Sequence, residues 1–231
     1  MTNTDTNDTK SFLPTVYGDL PTIETAEGNS INGYPIHVAN SPTGPRFAVL
    51  RLPAADELLD WFAQQKDIIK PLGRGASEEE SVPTPKADRK LFQAIRIDAG
   101  DEAVEFDDAE ALWSISQLTR HRVDGIERDG ESFIVTLTTL FDVVTTHTVR
   151  IPYVSEQARY QKDVVKVKSL ANGYVEQRIN VLAACNLYDK IVQKTTGYRD
   201  GVPIPPHHKR TVIVKVMTEI ALLDSSLDPN S

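Results

Sequence analysis

Along residues 132–140 the chain reads SFIVTLTTL, an alternation of apolar and polar positions rich in β-branched side chains. That period of two predicts a strand with one buried face. Asp129-Gly130 just ahead of it predicts a hairpin turn. A second alternating run, TTHTVRI at 145–151, predicts the returning strand, and RFAVLRL at 46–52 has the same character. Pro53 and Pro152 close these runs. A proline withholds the amide a ladder needs, yet suits the first turn of a helix.

The period then changes. After Pro53, Leu58, Phe62, Gln65 and Ile69 fall on one helical stripe, with Leu59, Trp61 and Ile68 beside it. Gly73 and Gly75 end this predicted helix, and ASEEESVPTPKAD (76–88) predicts a loop. A second helix carries Leu91, Phe92 and Ile95. A third, capped by Asp107 or Asp108, turns Ala111, Leu112, Ile115 and Leu118 inward. Further on, helices are expected near 154–167, 175–195 and 207–223. The middle one places Ile179, Leu182, Ala183, Leu187 and Ile191 at helical spacing.

The pattern comes twice because words of the sequence come twice. QKDIIK (65–70) returns as QKDVVK (161–166), and RLPAADE (51–57) returns as RIPYVSE (150–156). Arg51 precedes Gln65 by 14 residues and Arg150 precedes Gln161 by 11, a difference close to one helical turn. Downstream, KLFQAI (90–95) answers NLYDKI (186–191), with Lys66 to Leu91 and Lys162 to Leu187 both spanning 25 residues. The spacing predicts an internal duplication. Each copy is expected to hold about three antiparallel strands followed by about three helices, an α+β organisation. The expected boundaries are a flexible polar arm over 1–20, a first repeat over 21–121, a second over 122–224, and a tail over 225–231.

Composition narrows the partners. Apolar residues make up 40% of 231, enough for a sizeable core. A formal charge of −8, spread along the chain, disfavours phosphate backbones and anionic membranes. No apolar run approaches the roughly 20 residues that span a bilayer. The first ten residues, MTNTDTNDTK, lack the apolar centre of a signal peptide, and the lone Cys185 forms no intramolecular disulfide. A reducing, cytoplasmic setting is the expectation.

Candidate chemistry is sparse. Lys66-Asp67 and Lys162-Asp163 resemble an acid–base couple, but neighbours on a helix point about 100° apart. Surface ion pairing is the simpler role. In PIPPHHKR (203–210) two histidines could join His37, His121 or His147 around a metal, yet helical metal ligands usually stand at i, i+4. Cations in the first turn of a helix oppose its dipole unless they meet something. His207, His208, Lys209 and Arg210 are therefore the candidate partner-contact patch, and the same patch would serve a nucleic-acid binder. GRGASEEES (73–81) lacks the order of a phosphate loop, and its glutamates repel phosphate. Cys185 lies on an apolar face with no basic neighbour in sequence, which predicts an inert thiol. No catalytic residue, metal site or cofactor is assigned.

The polar arm, the Arg51-Leu52-Pro53 strand end and the segment LYDKIVQKTTGYRDGVPIPPHHK (187–209) resemble parts of tailed-bacteriophage proteins of the tail and assembly gene region. The likeness covers about residues 44–223 and carries no functional signature. It implies a non-enzymatic virion component or assembly factor, working in the host cytoplasm or the virion. Its partners would be other proteins of the same assembly or further copies of itself, with the arm ordering on a partner. The alternative is an enzyme or small-ligand binder with a site between the repeats.

Overall fold

In this computed structural model the described residues are 22–24, 30–41, 44–73, 76–97, 106–139 and 142–226. The expected arm over 1–20 and the end of the tail, from 227, lie outside them. Strands β1 (Thr22–Glu24) and β2 (Ser30–Asn32) pair antiparallel. The hairpin of β3 (Tyr34–Ser41) and β4 (Gly44–Leu50) leads into helix α1 (Ala55–Gln64). A second hairpin, β5 (Lys66–Gly73) and β6 (Ala76–Val82), precedes α2 (Pro85–Ile95) and α3 (Asp108–Leu118).

Part of this order then returns. β7 (His121–Asp129), β8 (Ser132–Thr139) and β9 (Val144–Arg150) form a meander that feeds α4 (Val154–Asp163). The hairpin β10 (Val165–Ser169) and β11 (Val175–Ile179) follows, then α5 (Val181–Ile191), β12 (Val192–Thr196) and α6 (Pro206–Ser226). The chain is a mixed α+β structure.

The two halves agree in the register of one hairpin and in part of their order; among the described residues β12, between α5 and α6, has no strand counterpart between α2 and α3. Tyr34 faces Leu50 and Ile36 faces Ala48; Phe133 faces Val149 and Val135 faces His147. Each pair is displaced by 99 positions (34 to 133, 50 to 149). The first helices, α1 and α4, have ten residues each, and α2 and α5 have eleven each. Leu50 bridges to Arg96, and Val149 pairs with Val192 in the corresponding place.

One clamp occurs twice. Arg51 donates from both terminal nitrogens to Glu57, at 2.8 and 2.6 Å, and that carboxylate accepts the Ala54 amide at 2.7 Å. Arg150 donates likewise to Glu156, at 2.8 Å through each nitrogen, while Glu156 accepts the Tyr153 amide at 2.9 Å. The carboxylate satisfies an orphan amide at the helix start and sits at the positive end of the dipole. The arginine ties helix to strand through a planar fork. The repeated Arg-x-Pro-x-x-x-Glu of the sequence is this clamp.

Apolar packing is likewise in two clusters. Tyr34, Leu50, Leu58, Leu91, Ile95 and Ile115 belong to the first, and Phe133, Val149, Leu187, Ile191, Ile213 and Val216 to the second. Trp61 in the first half and Tyr160 in the second occupy matching, buried helix positions.

Several expectations need correction. The helices do not follow one another three in a row, because a hairpin separates the first from the second in each half. Ile68 and Ile69 lie in β5, since α1 stops at Gln64 and Gln65 turns to extended backbone (φ −69°, ψ 138°). The stretch 76–88 is not a loop: Ser77 to Val82 pair with β5, and α2 starts at Pro85. A run of glutamates has low strand propensity, and its ladder to β5 overrides that.

The QKD words also mark different places. Lys66-Asp67 opens a strand, whereas Lys162-Asp163 closes α4. With both helices of equal length, the two words stand three residues out of structural register. Past Asp163, residues expected as helix form β10 and β11, and α5 is shorter at both ends than the expected 175–195.

Candidate functional site

The sequence directs attention first to His207–Arg210. Pro205 and Pro206 start α6, and the amides of His208 and Lys209 donate to the Pro205 carbonyl at 3.1 and 3.2 Å. This first turn packs inward. His207 is 8% exposed and His208 is 0% exposed, so neither imidazole offers a surface to a partner. Lys209 donates to Asp189 at 2.6 Å and lies over the Tyr188 ring. Arg210 is half-buried, and its Nε has no hydrogen-bond partner. The two histidines of the predicted contact patch are thus internal, because α6 packs on α5 and β8, while Lys209 and Arg210 stay partly exposed.

Burial also removes the histidines' share of the conflict with the helix dipole. Desolvation disfavours the charged imidazole and lowers the His207 pKa to about 3, with the nearby His121 adding to the effect. His208 is lowered further for the same first reason, with His207, His121 and His147 contributing. At neutral pH the helix begins with two uncharged rings.

The His208 ring belongs to a network that the sequence does not announce. His147 Nδ1 lies 2.7 Å from the Tyr188 hydroxyl, and its Nε2 lies 2.8 Å from the Tyr198 hydroxyl. The same Tyr198 oxygen is 2.7 Å from His208 Nδ1, and its hydroxyl donates to Thr145 Oγ1 at 3.3 Å. Desolvation lowers His147 to about 4 and pushes both tyrosines above their ordinary values. A neutral histidine carries one N–H and one acceptor; with the Tyr198 proton given to Thr145, His147 Nε2–H and His208 Nδ1–H both donate to the Tyr198 oxygen, and Tyr188 donates to His147 Nδ1. Thr145, Tyr188 and Tyr198 escaped sequence reasoning, since nothing in spacing separates a networked tyrosine from a core aromatic.

The first half carries no such network at the positions that align with it. His147 takes the place held by Ala48, and Tyr188 that held by Phe92, both counterparts being buried. The imidazole and the hydroxyl that bonds it occur together in the second half only.

His121 stands at the edge of this group. Its Nδ1 donates to the Thr119 carbonyl at 3.0 Å, which leaves Nε2 to accept from Thr211 at 2.6 Å. Nitrogens of His121, His207 and His208 all lie within 4.8 Å of one another, and His207 Nδ1 is buried without a partner. His147 joins the tyrosines instead, and His37 lies in β3, where its side chain is outside the described ones. Cys185 is buried, its pKa raised by desolvation to about 11, which agrees with an inert thiol. A groove of about 380 Å³ runs between α4 and α5, walled by Glu156, Arg159, Asp163 and Asp189 among others. Glu156 there is already committed to Arg150.

A second feature lies at the junction of the halves. Their central hairpins share one four-stranded antiparallel sheet in the order β10-β11-β5-β6. At the junction Val175 faces Ile69, Glu176 faces Ile68 and Gln177 faces Asp67. Lys66 donates to Glu176 at 3.2 Å, and Arg178 donates to the Ala63 carbonyl at 3.3 Å. Among the described residues the sheet ends on β10 at one side and β6 at the other. The first edge carries exposed Lys166 and Lys168, and the second carries exposed Glu78, Glu79 and Glu80.

No family model, curated protein or solved structure matches this chain.

Proposed function

We propose that the protein is a non-enzymatic structural or assembly component that works through protein–protein contacts, of the kind its sequence resembles among tailed-phage tail and assembly proteins. We further propose that its halves are copies of one α+β unit. The shared hairpin register, the equal helices and the repeated Arg–Glu clamp support the duplication. The observation that carries the functional reading is the mode of joining. The halves meet by strand pairing, and that leaves a strand edge open at each end of the sheet. Coexpression with the proteins encoded beside it, followed by copurification, tests the reading. A stoichiometric complex with one of them is expected, and a chain that ignores every such partner overturns it.

A second reading has its own observation, the partnerless His207 Nδ1 within a cluster of three imidazoles. On this reading a divalent transition ion such as Zn²⁺ binds the second half. Elemental analysis and thermal melts with added Zn²⁺ test it. About one bound ion per chain, lost in His207→Ala, supports it; no uptake and an unmoved melting temperature remove it.

A further inference from the structure

The two hairpins of the central sheet are joined head to tail. If β5 corresponds to β10 and β6 to β11, a two-fold junction would set like strand against like. Instead β11, a second strand, pairs with β5, a first strand. A junction of this kind does not close on itself. It leaves a first strand, β10, open at one side and a second strand, β6, open at the other.

The correspondence fixes a register. α1 ends at Gln64 and α4 at Asp163, so Lys66 matches Val165 as the opening residue of its strand. Lys66 faces Val82, and Val165 faces Ile179, so Val82 matches Ile179. When the internal junction is carried to the two open edges on these matches, Glu176 over Ile68 becomes Glu79 over Val167. Val175 over Ile69 becomes Glu78 over Lys168, and Gln177 over Asp67 becomes Glu80 over Lys166. Directly opposed residues share a face of the sheet, so two acid–base pairs form side by side.

The charges also select against other pairings. Glutamates and lysines on edge strands commonly serve to keep sheets apart. Here β6 against β6 sets acid on acid, and β10 against β10 sets base on base. The unlike pairing alone is left open. Glu80 already meets Lys70 within its own hairpin, and Lys166 would add a second cation to that carboxylate.

We propose that copies of this chain associate head to tail, the β10 edge of one pairing with the β6 edge of the next in the register of the internal β11–β5 junction. The inference rests on the reading of the protein as an assembly component and names one of its partners as itself. Successive copies extend one sheet, as a ring where the rotation closes and as a filament where it does not.

Charge reversal tests it on the full chain. Glu78→Lys with Glu80→Lys makes both edges basic, and Lys166→Glu with Lys168→Glu makes both acidic. Light scattering is expected to show self-association of the unaltered protein, weakened at least tenfold in each variant and regained when the two are mixed in equal amounts. Restored assembly on mixing also shows that both variants are folded. A protein that stays a single chain at every concentration overturns the inference, while the broader reading still stands on copurification with other proteins. Association indifferent to the reversals overturns the proposed edges.

Discussion

Arg150 and Glu156 are locked together by two hydrogen bonds of 2.8 Å, and the same carboxylate caps the helix that follows. Its pKa is lowered to about 2, chiefly by the guanidinium. Arg51 and Glu57 repeat the arrangement and lower Glu57 in the same direction. Glu156→Ala removes a cap and a tie at once. Loss of a cap costs roughly 1 kcal/mol, which corresponds to a fall of about 2–4 °C in Tm for a chain of this size. Glu57→Ala should cost a similar amount, and the double variant the sum, because the clamps share no partner. Calorimetry checks this; Arg51→Lys and Arg150→Lys should also lower Tm, since lysine lacks the fork.

The residues of the clamp stood out in the sequence as Arg-x-Pro-x-x-x-Glu written twice without a gap. Their pairing did not, because the words alone do not show that the carboxylate turns back to the arginine. The more conspicuous QKD words misled, because identical residues three positions out of register sit in a strand in one half and a helix in the other. The hairpins after α1 and α4 were hidden for a related reason. Ile68 and Ile69 continue the helical stripe of Leu58 and Phe62, and only long-range pairing with β6 and β11 selects the strand. Glu78 to Glu80 read as a solvated loop because strand propensity gives no weight to a partner strand. The histidine network was illegible for a different reason. Burial makes His207 and His208 neutral core residues, and sequence shows only their charge-bearing type.

His147 and Tyr188 act as a pair. Tyr188→Phe leaves His147 Nδ1 without its partner in a buried site, at a cost of about 1–3 kcal/mol. The double variant His147→Ala, Tyr188→Phe installs the pair found in the first half. It should lose less stability than the two single losses added together. Urea unfolding of the four proteins measures the coupling, and strict additivity would contradict the network.

The buried histidines set the pH limit of the fold. Folded-state pKa values of about 4 for His147 and about 3 for His207, with His208 lowered as well, lie below the ordinary 6.5. Above that value these rings are neutral in both states and stability is full. Below it the unfolded chain takes up protons that the folded chain refuses. Each such histidine then withdraws about 1.4 kcal/mol per pH unit. The share of His147 levels off near pH 4 and that of His207 near pH 3. Glu156 adds its own loss only from the carboxylate range down to about 2. The urea midpoint should therefore start to fall near pH 6.5; a midpoint flat to pH 5 would show that these rings are not held neutral.

Gly197 turns the chain that delivers Tyr198 to the network, with φ at +81°. A Cβ there would collide with the Val144 carbonyl. Gly197→Ala should destabilise the second half through both strain and displacement of Tyr198. Amide exchange should quicken around β9 and β12 and leave the core of the first half unchanged.

The most direct measurement is the mass of the unaltered protein in solution, followed over concentration at low and high salt. A head-to-tail assembly through paired glutamates and lysines should give multiples of 25.6 kDa that grow with concentration or stop at a closed ring, and that diminish as salt screens the edges. A species of 25.6 kDa under every condition would contradict the account.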